Sequence, residues 1–544
     1  MGVKAMELKL INAMEKLFPA GMPQAEIRSG IAFENENHAF QMAIYNDSKE
    51  ICKLMRITVD GTLKNYTHLR TVEFVPAART AVDTDDYYLT TEPCLMPDLL
   101  KPIGKMGICV APKQWKSVWV SIQNETGLPA GEYTLKFTLR DELGEKKGEC
   151  IYTLNVLQKA LPKTDIKLTN WMHYDCISSA HGVELFGESF YRIFETYLRA
   201  YTDCGNNMLL TPLFTSPLDT LVGGERKTAQ LVKIYKQDAG YTFSFDELKK
   251  FIFFALERGI EYIEFSHLFT QWGGQYCPKI VAQVDGKEQK IFGWETPSDS
   301  VEYESFLDKF LPALVQALEE WGVKDKCYFH LTDEPRAEHL SVYTNCRARV
   351  KKHLKGMPIL DALSDYSFYE KGLVDVPVVC TDHYRSFLDK KAENVFAYYC
   401  CIPSDGYYSN RLLHQPLQRV RIIGFQLYVN GSKGFLHWGF NFYNTAYSLE
   451  TVNPYADTSA GGLFPSGDSF IVYPTENGVL KTMRSEILCA AVQDYRLCKL
   501  VEEKIGKNET LAILQDCGIQ GFNEYPHSIM AHEQIREKLI EIIK

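Results

Sequence analysis

The stretch Cys327-Tyr328-Phe329-His330-Leu331-Thr332-Asp333-Glu334-Pro335 indicates the fold class of this chain. Its first residues form a short apolar run, which is typical of a strand buried inside an α/β fold. Pro335 has no backbone N–H for a ladder hydrogen bond, so the strand should end before it. The carboxylates of Asp333 and Glu334 are therefore expected directly after the carboxyl end of a buried strand.

Seven other windows have the same buried-strand character, and amphipathic helical windows separate most of them. The eight strand windows are 168–174, 207–211, 262–267, 327–332, 358–363, 376–380, 395–400 and 434–438, and the helical windows include 190–201, 245–258, 303–321 and 338–354. Repeated strand-helix alternation predicts a (β/α)8 TIM barrel, with a doubly wound sheet as the alternative. Two long insertions, 213–242 and 269–300, fall where βα-loops build the active face of a barrel.

Residues 23–160 have a different rhythm, with short alternating strands such as 39–45, 117–122 and 133–139. Turn residues separate these strands and few helical windows occur, which predicts a β-sandwich. The predicted fold class is therefore multidomain β plus α/β. We assign residues 1–160 to an N-terminal β-sandwich, 165–505 to a catalytic (β/α)8 barrel, and 506–544 to a C-terminal helical extension packed on the barrel.

The amino-acid composition disfavours some classes of binding partner. The 544 residues include 59 Lys and Arg against 69 Asp and Glu, a formal net charge of −10, which disfavours nucleic acid as a ligand. No apolar run approaches the ~20 residues that a membrane-spanning helix needs. The 15 Cys are scattered with no CxxC pair, as in proteins with reduced thiols. We expect a cytoplasmic protein with no signal peptide, or a secreted one if a leader was lost.

The ends of the other predicted strands carry aromatic rings, imidazoles, amides and carboxylates. A sugar offers apolar C–H faces and hydroxyls in alternation, and side chains of these types contact both. The candidate substrate-binding residues are Asn170, Trp171, His173, Tyr174, His267, Trp272, Asp382, His383, Tyr384, Trp438 and Tyr443.

The adjacent carboxylates Asp333 and Glu334 allow two interpretations. Two carboxyl groups in a partly dry site divide into an acid and a base, which is the division of labour that cleavage of a glycosidic bond requires. Alternatively, Asp333 caps the helix that follows and Glu334 lies in its first turn, where both favour the helix N-terminus. The spacing alone leaves both interpretations open.

The sequence contains few signals of a metal site or of a nucleotide-binding site. Histidines recur near strand ends, at His173, His267, His330, His383 and His437, but no HxH or HExxH spacing occurs. There is no GxxxxGK[ST], no GxGxxG after a strand and no GxSxG. We therefore expect no metal and no cofactor. A metal-dependent hydrolase built on these histidines and a non-catalytic glycan-binding barrel remain alternatives.

Several motifs in order along the chain resemble one family. They lie at 169–175, 330–335, 467–474, 484–486 and 493–495, with a further likeness at 129–133. Together they are similar to glycoside hydrolase family 123 and its relatives, β-N-acetylgalactosaminidases with an N-terminal β-sandwich and a (β/α)8 barrel. The resemblance covers nearly the whole chain.

The resemblance implies a retaining, exo-acting mechanism in which the 2-acetamido oxygen of the substrate forms an oxazolinium intermediate. Glu334 would be the general acid and base, and Asp333 would orient the acetamido N–H and stabilise the developing charge. Tyr384 is the candidate donor to the acetamido oxygen. The implied partner is a glycan or oligosaccharide ending in β-linked N-acetylgalactosamine, with N-acetylglucosamine or another 2-acetamido sugar as the alternative. We also allow for a homodimer.

Overall fold

The computed structural model describes residues 6–238 and 240–544. Ten strands in its first part form two five-stranded sheets, in the orders β1-β3-β8-β5-β6 and β2-β10-β9-β4-β7. All neighbours are antiparallel except β2 and β10, which are parallel. The strands are β1 Glu7–Asn12, β2 Ser29–Phe33, β3 His38–Tyr45, β4 Cys52–Asp60, β5 Thr67–Ala77, β6 Cys94–Pro102, β7 Ile108–Val110, β8 Trp115–Ile122, β9 Gly131–Arg140 and β10 Lys146–Leu157.

One apolar cluster lies between these two sheets. Phe40 and Val120 reach it from one sheet, and Leu135, Phe137 and Leu154 reach it from the other. Alternate residues of a strand point to opposite faces, so each strand contributes every second side chain to this cluster. The three strand windows predicted at 39–45, 117–122 and 133–139 are confirmed by β3, β8 and β9.

From residue 167 onward, strands alternate with helices. The strands are β11 Lys167–Asn170, β12 Met208–Thr211, β13 Lys233–Gln237, β14 Gly240–Ser244, β15 Tyr262–Phe265, β16 Ile280–Val284, β17 Lys287–Phe292, β18 Cys327–Phe329, β19 Leu360–Ala362, β20 Val376–Cys380, β21 Phe396–Tyr398, β22 Gly434–His437, β23 Val472–Thr475 and β24 Gly478–Lys481. The helices are α1 Tyr174–His181, α2 Glu188–Asp203, α3 Asp246–Leu256, α4 Val301–Glu320, α5 Leu340–Lys351, α6 Tyr366–Glu370, α7 Tyr384–Asp389, α8 Gln418–Arg421, α9 Ile423–Val429, α10 Met483–Ile505, α11 Lys507–Asp516 and α12 Ile529–Ile543.

Each of the eight predicted buried-strand windows contains one parallel strand. These strands lie in two sheets, β11-β22-β21-β20-β19 and β12-β15-β18, rather than in one continuous eight-stranded ladder. At one junction, Phe329 and Ile359 form a parallel bridge. At the other, the Asn207 N–H donates to the Leu168 carbonyl over 3.0 Å. The eight parallel strands therefore belong to a mixed β and α/β architecture. Their backbone hydrogen bonds do not form a single closed ladder.

The two long insertions form a sheet that the sequence pattern did not predict. Strand β13 lies in the first insertion, β14 begins in it and ends two residues beyond, and β16 and β17 lie in the second; the four pair in the order β14-β13-β16-β17. Parallel pairing of Tyr235 with Gln283 joins the two insertions. This sheet holds together the chain segments that leave β12 and β15.

The C-terminal helices are tied to the rest of the protein by buried charges. Asp494 on α10 accepts from Arg421 Nε over 2.8 Å, from Arg536 Nη1 on α12 over 2.6 Å, and contacts His532 Nε2 at 2.9 Å. Burial opposes ionisation of Asp494, but these cationic partners hold its pKa well below the usual range. Arg536 also pairs with Glu36 of the first part, so α12 contacts both halves of the chain.

Two further features bear on the sequence predictions. All 15 cysteines are free thiols, as their scattered placement predicted. Within the described residues, no helix is both long enough and apolar enough to cross a lipid bilayer.

Candidate active site

The chain leaves strand geometry after Phe329, the last residue of β18, and the two carboxylates follow four and five residues later. The Glu334 N–H donates to the Ala362 carbonyl over 3.0 Å, and the Asp333 carbonyl accepts from the Trp272 N–H over 2.8 Å. Glu334 has φ 45°, in the left-handed region that non-glycine residues rarely adopt. The backbone is therefore fixed from two neighbouring strand ends in a conformation that favours neither a strand nor a helix.

The helix-capping interpretation of these carboxylates is wrong. A short 3-10 turn begins only at Ala337, with Arg336 and His339 capping it, and α5 begins at Leu340. Asp333 and Glu334 thus precede the first helical residue and do not bond to its N–H groups. Their side chains therefore do not cap this helix.

Glu334 and Asp333 have distinct surroundings. The Tyr398 hydroxyl, at the end of β21, donates to Glu334 Oε1 over 2.8 Å. Burial and the neighbouring charge of Glu334 raise the pKa of Asp333 well above its usual value. Asp333 therefore keeps its proton to a higher pH than an isolated carboxyl does.

A buried ionic network lies beneath this pair. His330 Nε2 is 2.9 Å from Glu264 Oε2, and His330 Nδ1 is 3.4 Å from Asp361 Oδ1. Tyr343 donates to the other oxygen of Asp361 over 2.6 Å, and the Trp171 indole donates to Glu264 over 3.3 Å. Burial alone would lower the pKa of His330, but bonds to Asp361 and Glu264 raise it to about 9. An imidazolium therefore lies three residues before Asp333 in the chain, and its charge opposes the rise in the pKa of that carboxyl.

The described residues include one cluster that could hold a metal ion, His267, His330 and Asp361, whose ligand atoms lie within 4.8 Å of one another. The two imidazoles are stacked, with ring centroids 4.4 Å apart and an interplanar angle of 24°. Ring-nitrogen lone pairs lie in the ring plane, so stacked rings direct them side by side rather than to one point. The cluster is better suited to a charge-paired imidazolium than to a metal ion.

A third carboxylate, Asp468, belongs to the same region and was not among the predicted site residues. Its Oδ2 accepts from the Trp438 indole over 3.1 Å, and its buried Oδ1 lies 3.5 Å from His437 Nε2. Burial raises the pKa of Asp468 to about 7, against the opposing charge of Arg411. Asp468 lies in the motif at 467–474, which was the available sequence signal.

Several predicted residues support the site from beneath rather than lining it. His173 bonds the Trp438 carbonyl at 2.9 Å and Arg226 at 3.2 Å, and Arg226 in turn pairs with Asp175 at 2.7 Å. Burial, followed by the charge of Arg226, lowers the pKa of His173 to about 3. The side chains of Asn170, Trp171, His173 and His267 are all almost fully buried.

Other predicted residues are accessible. His383 lines an open cavity of about 340 Å³ together with Glu334, Tyr398 and Asp365. The His383 Nδ1 is 2.7 Å from the Asp382 carboxylate. Trp438 is half-buried, and Trp272 is 39 % exposed.

Three predicted tyrosines are removed from the candidate site. The hydroxyls of Tyr174, Tyr384 and Tyr443 donate to the carbonyls of Leu210, Val395 and Val472 over 2.6, 3.2 and 3.0 Å, and all three side chains are buried in the core. Tyr174 was placed at a strand end, but β11 stops at Asn170 and Tyr174 opens α1. Tyr384 opens α7, and Tyr398 is the tyrosine that contacts the acid pair.

The family model for the catalytic domain of glycoside hydrolase 123 matches residues 171–501 of this chain. The chain belongs to glycoside hydrolase family 123. This confirms the family predicted from the motifs. Among curated protein sequences, none matches this family 123 hydrolase.

One solved structure agrees with this chain at the level of the fold. A family 123 glycoside hydrolase from Clostridium perfringens, studied for hydrolysis of glycolipid glycans, is 15 % identical, with 99 % of this chain and 97 % of that chain covered and a TM-score of 0.75. The endo-β-1,4-mannanase of Thermotoga petrophila is 12 % identical over 62 % of this chain and 77 % of its own, with a TM-score of 0.35. This family 123 hydrolase therefore shares the C. perfringens fold along nearly its whole length.

Proposed function

We propose that this family 123 hydrolase is an exo-acting, retaining enzyme that removes terminal β-linked N-acetylgalactosamine by substrate-assisted catalysis. The observation that carries the proposal is the pair Asp333 and Glu334 at the end of β18, with Tyr398 bonded to Glu334. N-acetylgalactosamine is favoured by the family of the chain. The C. perfringens relative, which acts on glycolipid glycans, suggests glycans of that kind as substrates.

Adjacency of the two carboxylates supports this mechanism over a double displacement. An enzyme nucleophile and a general acid must lie on opposite sides of the anomeric carbon, about 5 Å apart. Asp333 and Glu334 are consecutive residues that precede the same short turn, so both enter the site from one segment of the chain. Such a pair is suited to two neighbouring atoms of the substrate, the leaving oxygen and the acetamido nitrogen. The acetamido oxygen then takes the place of the nucleophile.

The raised pKa of Asp333 accounts for the source of the proton that reaches the leaving oxygen. In the free enzyme Asp333 retains a proton because burial and the neighbouring charge of Glu334 raise its pKa. When an acetamido N–H donates to Asp333, the ionised form of that carboxyl is favoured and the proton is held by Glu334. Glu334 then protonates the leaving oxygen while Asp333 stabilises the positive charge on the forming oxazolinium. Glu334, now ionised, accepts a proton from the water that opens the oxazolinium ring, which restores the pair.

Tyr398 acts in this scheme as a positioning residue. Its hydroxyl holds Glu334 Oε1 at 2.8 Å, which limits the rotation of a side chain that must face the leaving oxygen. The His330 imidazolium, held between Glu264 and Asp361, keeps positive charge below Asp333 and so limits the rise in the pKa of that carboxyl.

The scaffold that we propose is a closed (β/α)8 barrel at 165–505, with a β-sandwich at 1–160 and helices at 506–544. An inner apolar cluster supports closure, because Met208 and Leu210 of one sheet pack there with Val378 and Phe396 of the other. The fully buried pair of Arg484 and Asp98, at 2.9 Å, joins the sandwich to α10 and gives the sandwich a structural role. Free thiols throughout support a cytoplasmic location.

Turnover of aryl β-glycosides tests the function. We expect the wild-type enzyme to release the phenol from aryl β-N-acetylgalactosaminide faster than from aryl β-N-acetylglucosaminide, by about tenfold or more, because one misplaced hydroxyl costs about 1–3 kcal/mol in a site built for its epimer. Faster turnover of the glucosaminide would reassign the sugar. Binding of an oligosaccharide without turnover of any glycoside would instead indicate a glycan-binding protein.

A further inference from the structure

We propose that the aromatic rings of Trp272 and Tyr447 form a platform for the sugar residue on the leaving-group side of the scissile bond. This inference rests on the proposed function. Trp272 lies on the loop after β15 and Tyr447 on the loop after β22, and their ring centroids are 6.2 Å apart at an interplanar angle of 78°. The two residues are 39 % and 38 % exposed, whereas most of the large aromatic residues of the strand ends are buried.

The platform is attached to the catalytic pair through the backbone. The Trp272 N–H donates to the Asp333 carbonyl over 2.8 Å, so the Trp272 backbone is in direct contact with the residue that faces the acetamido group. An exo-acting enzyme encloses only the terminal sugar, and the rest of the glycan extends toward solvent. An exposed ring whose backbone contacts Asp333 is suited to hold that next sugar residue.

Asp219 forms hydrogen bonds with the two loops that carry Trp272 and Tyr447. The Asp219 N–H donates to Gln271 Oε1 over 2.5 Å, and its carboxylate accepts from the Tyr447 N–H over 3.0 Å. The Ser448 hydroxyl donates to the Asp219 carbonyl over 2.7 Å, and the Leu221 N–H donates to the Tyr447 carbonyl over 3.1 Å. Residues next to both rings are therefore bonded to one acidic residue on a third loop.

The backbone at these positions is strained. Asp219, Trp272 and Tyr447 have φ values of 41°, 57° and 62°, in the left-handed region that side chains with a Cβ rarely adopt. Gly273 follows Trp272 at φ 104°, and a Cβ there would overlap the His339 ring. Strained residues of this kind persist where the surroundings fix them, and they concentrate at ligand sites. Here the strain holds two large rings exposed instead of letting them pack.

The chemistry of exposed, fixed rings identifies the ligand. A pyranose presents axial C–H groups on one face, and an aromatic ring contacts that face without needing hydrogen bonds. An acceptor sugar held in this way would be aligned with the leaving oxygen facing Glu334. The platform would therefore affect glycan substrates and leave substrates with a minimal leaving group unaffected.

Asparagine substitutions test the platform, because Asn adopts the left-handed conformation readily and removes the ring. We expect Trp272→Asn and Tyr447→Asn to lower kcat/KM for an oligosaccharide ending in β-N-acetylgalactosamine by about tenfold, as loss of one stacking contact predicts. Hydrolysis of β-N-acetylgalactosaminyl fluoride, whose leaving group reaches no platform, should stay within about twofold of wild type. Trp272→Phe and Tyr447→Phe should retain glycan turnover, and the exposed Tyr455→Ala serves as the matched control.

Equal losses on the fluoride and the oligosaccharide would show a structural role and overturn the platform, as would no loss on either. A loss confined to lipid-linked glycans would assign the rings to a lipid surface instead. Absence of wild-type turnover on both substrates would contradict the proposed function. In that case, calorimetry should compare binding of the oligosaccharide to Glu334→Gln with binding to the double variant Glu334→Gln, Trp272→Asn. About tenfold weaker binding to the double variant supports the platform, and equal binding overturns it.

Discussion

Glu334→Gln is expected to lower kcat/KM for an oligosaccharide substrate by about 10³-fold, within the range by which a general acid accelerates a reaction. The amide cannot protonate the leaving oxygen, so a sugar alkoxide would have to depart as an anion. Tyr398 can still donate to the carbonyl of the glutamine, as it does to Glu334 Oε1, so the side chain should keep its position.

The leaving group separates acid catalysis from misfolding. An aryl glycoside with an acidic phenol departs with little protonation, so its loss on Glu334→Gln should be at least about tenfold smaller than that of the oligosaccharide. Glu338→Gln, an exposed acid in the next turn, should behave as wild type on both substrates. Losses of equal size on both would remove Glu334 from the role of general acid.

Asp333→Asn is expected to lower kcat by about 10²-fold or more while KM changes little. In the proposed mechanism Asp333 stabilises positive charge that develops only as the acetamido oxygen attacks, and such an interaction is lost from kcat. Steady-state kinetics on aryl β-N-acetylgalactosaminide measures this difference. A rise in KM with unchanged kcat would mean that Asp333 only binds the ground state.

The same variant should be more stable than wild type at neutral pH, which provides its control for folding. Burial and Glu334 raise the pKa of Asp333 in the folded protein above its value in the unfolded chain. Between these two pKa values the folded protein therefore binds more protons than the unfolded chain. The stability of the wild-type protein falls as pH rises above about 4. Asparagine removes this penalty, so the gain in Tm should grow from about pH 4 toward neutral and vanish below. A Tm lower than that of wild type at every pH would point to damaged packing.

The periodic part of the fold could be predicted from the sequence. A buried parallel strand is recorded as a short apolar run, and each of the eight windows contained one strand. Insertion strands such as Lys233–Gln237 are mostly exposed and carry no such run, so hydrophobic patterning did not predict them. Pairing between Tyr235 and Gln283 depends on contacts between distant segments, which local patterns do not contain.

The acid pair could be predicted because it follows a buried apolar run, although β18 already ends at Phe329, six residues before Pro335. Its tyrosine could not, because the window 395–400 holds Tyr398 and Tyr399 side by side and neighbours on a strand face opposite sides. The register decides that Tyr398 meets Glu334 while Tyr399 packs on Phe435. Tyr384 was selected from its place after a strand, but a helix begins there and turns the ring into the core.

Comparison of aryl β-N-acetylgalactosaminide with aryl β-galactoside tests the central claim most directly, because the two differ only in the 2-acetamido group. If that group supplies the nucleophile, the wild-type enzyme should hydrolyse the acetamido sugar and leave the galactoside without detectable turnover. Comparable kcat/KM values for the two would contradict substrate-assisted catalysis by Asp333 and Glu334.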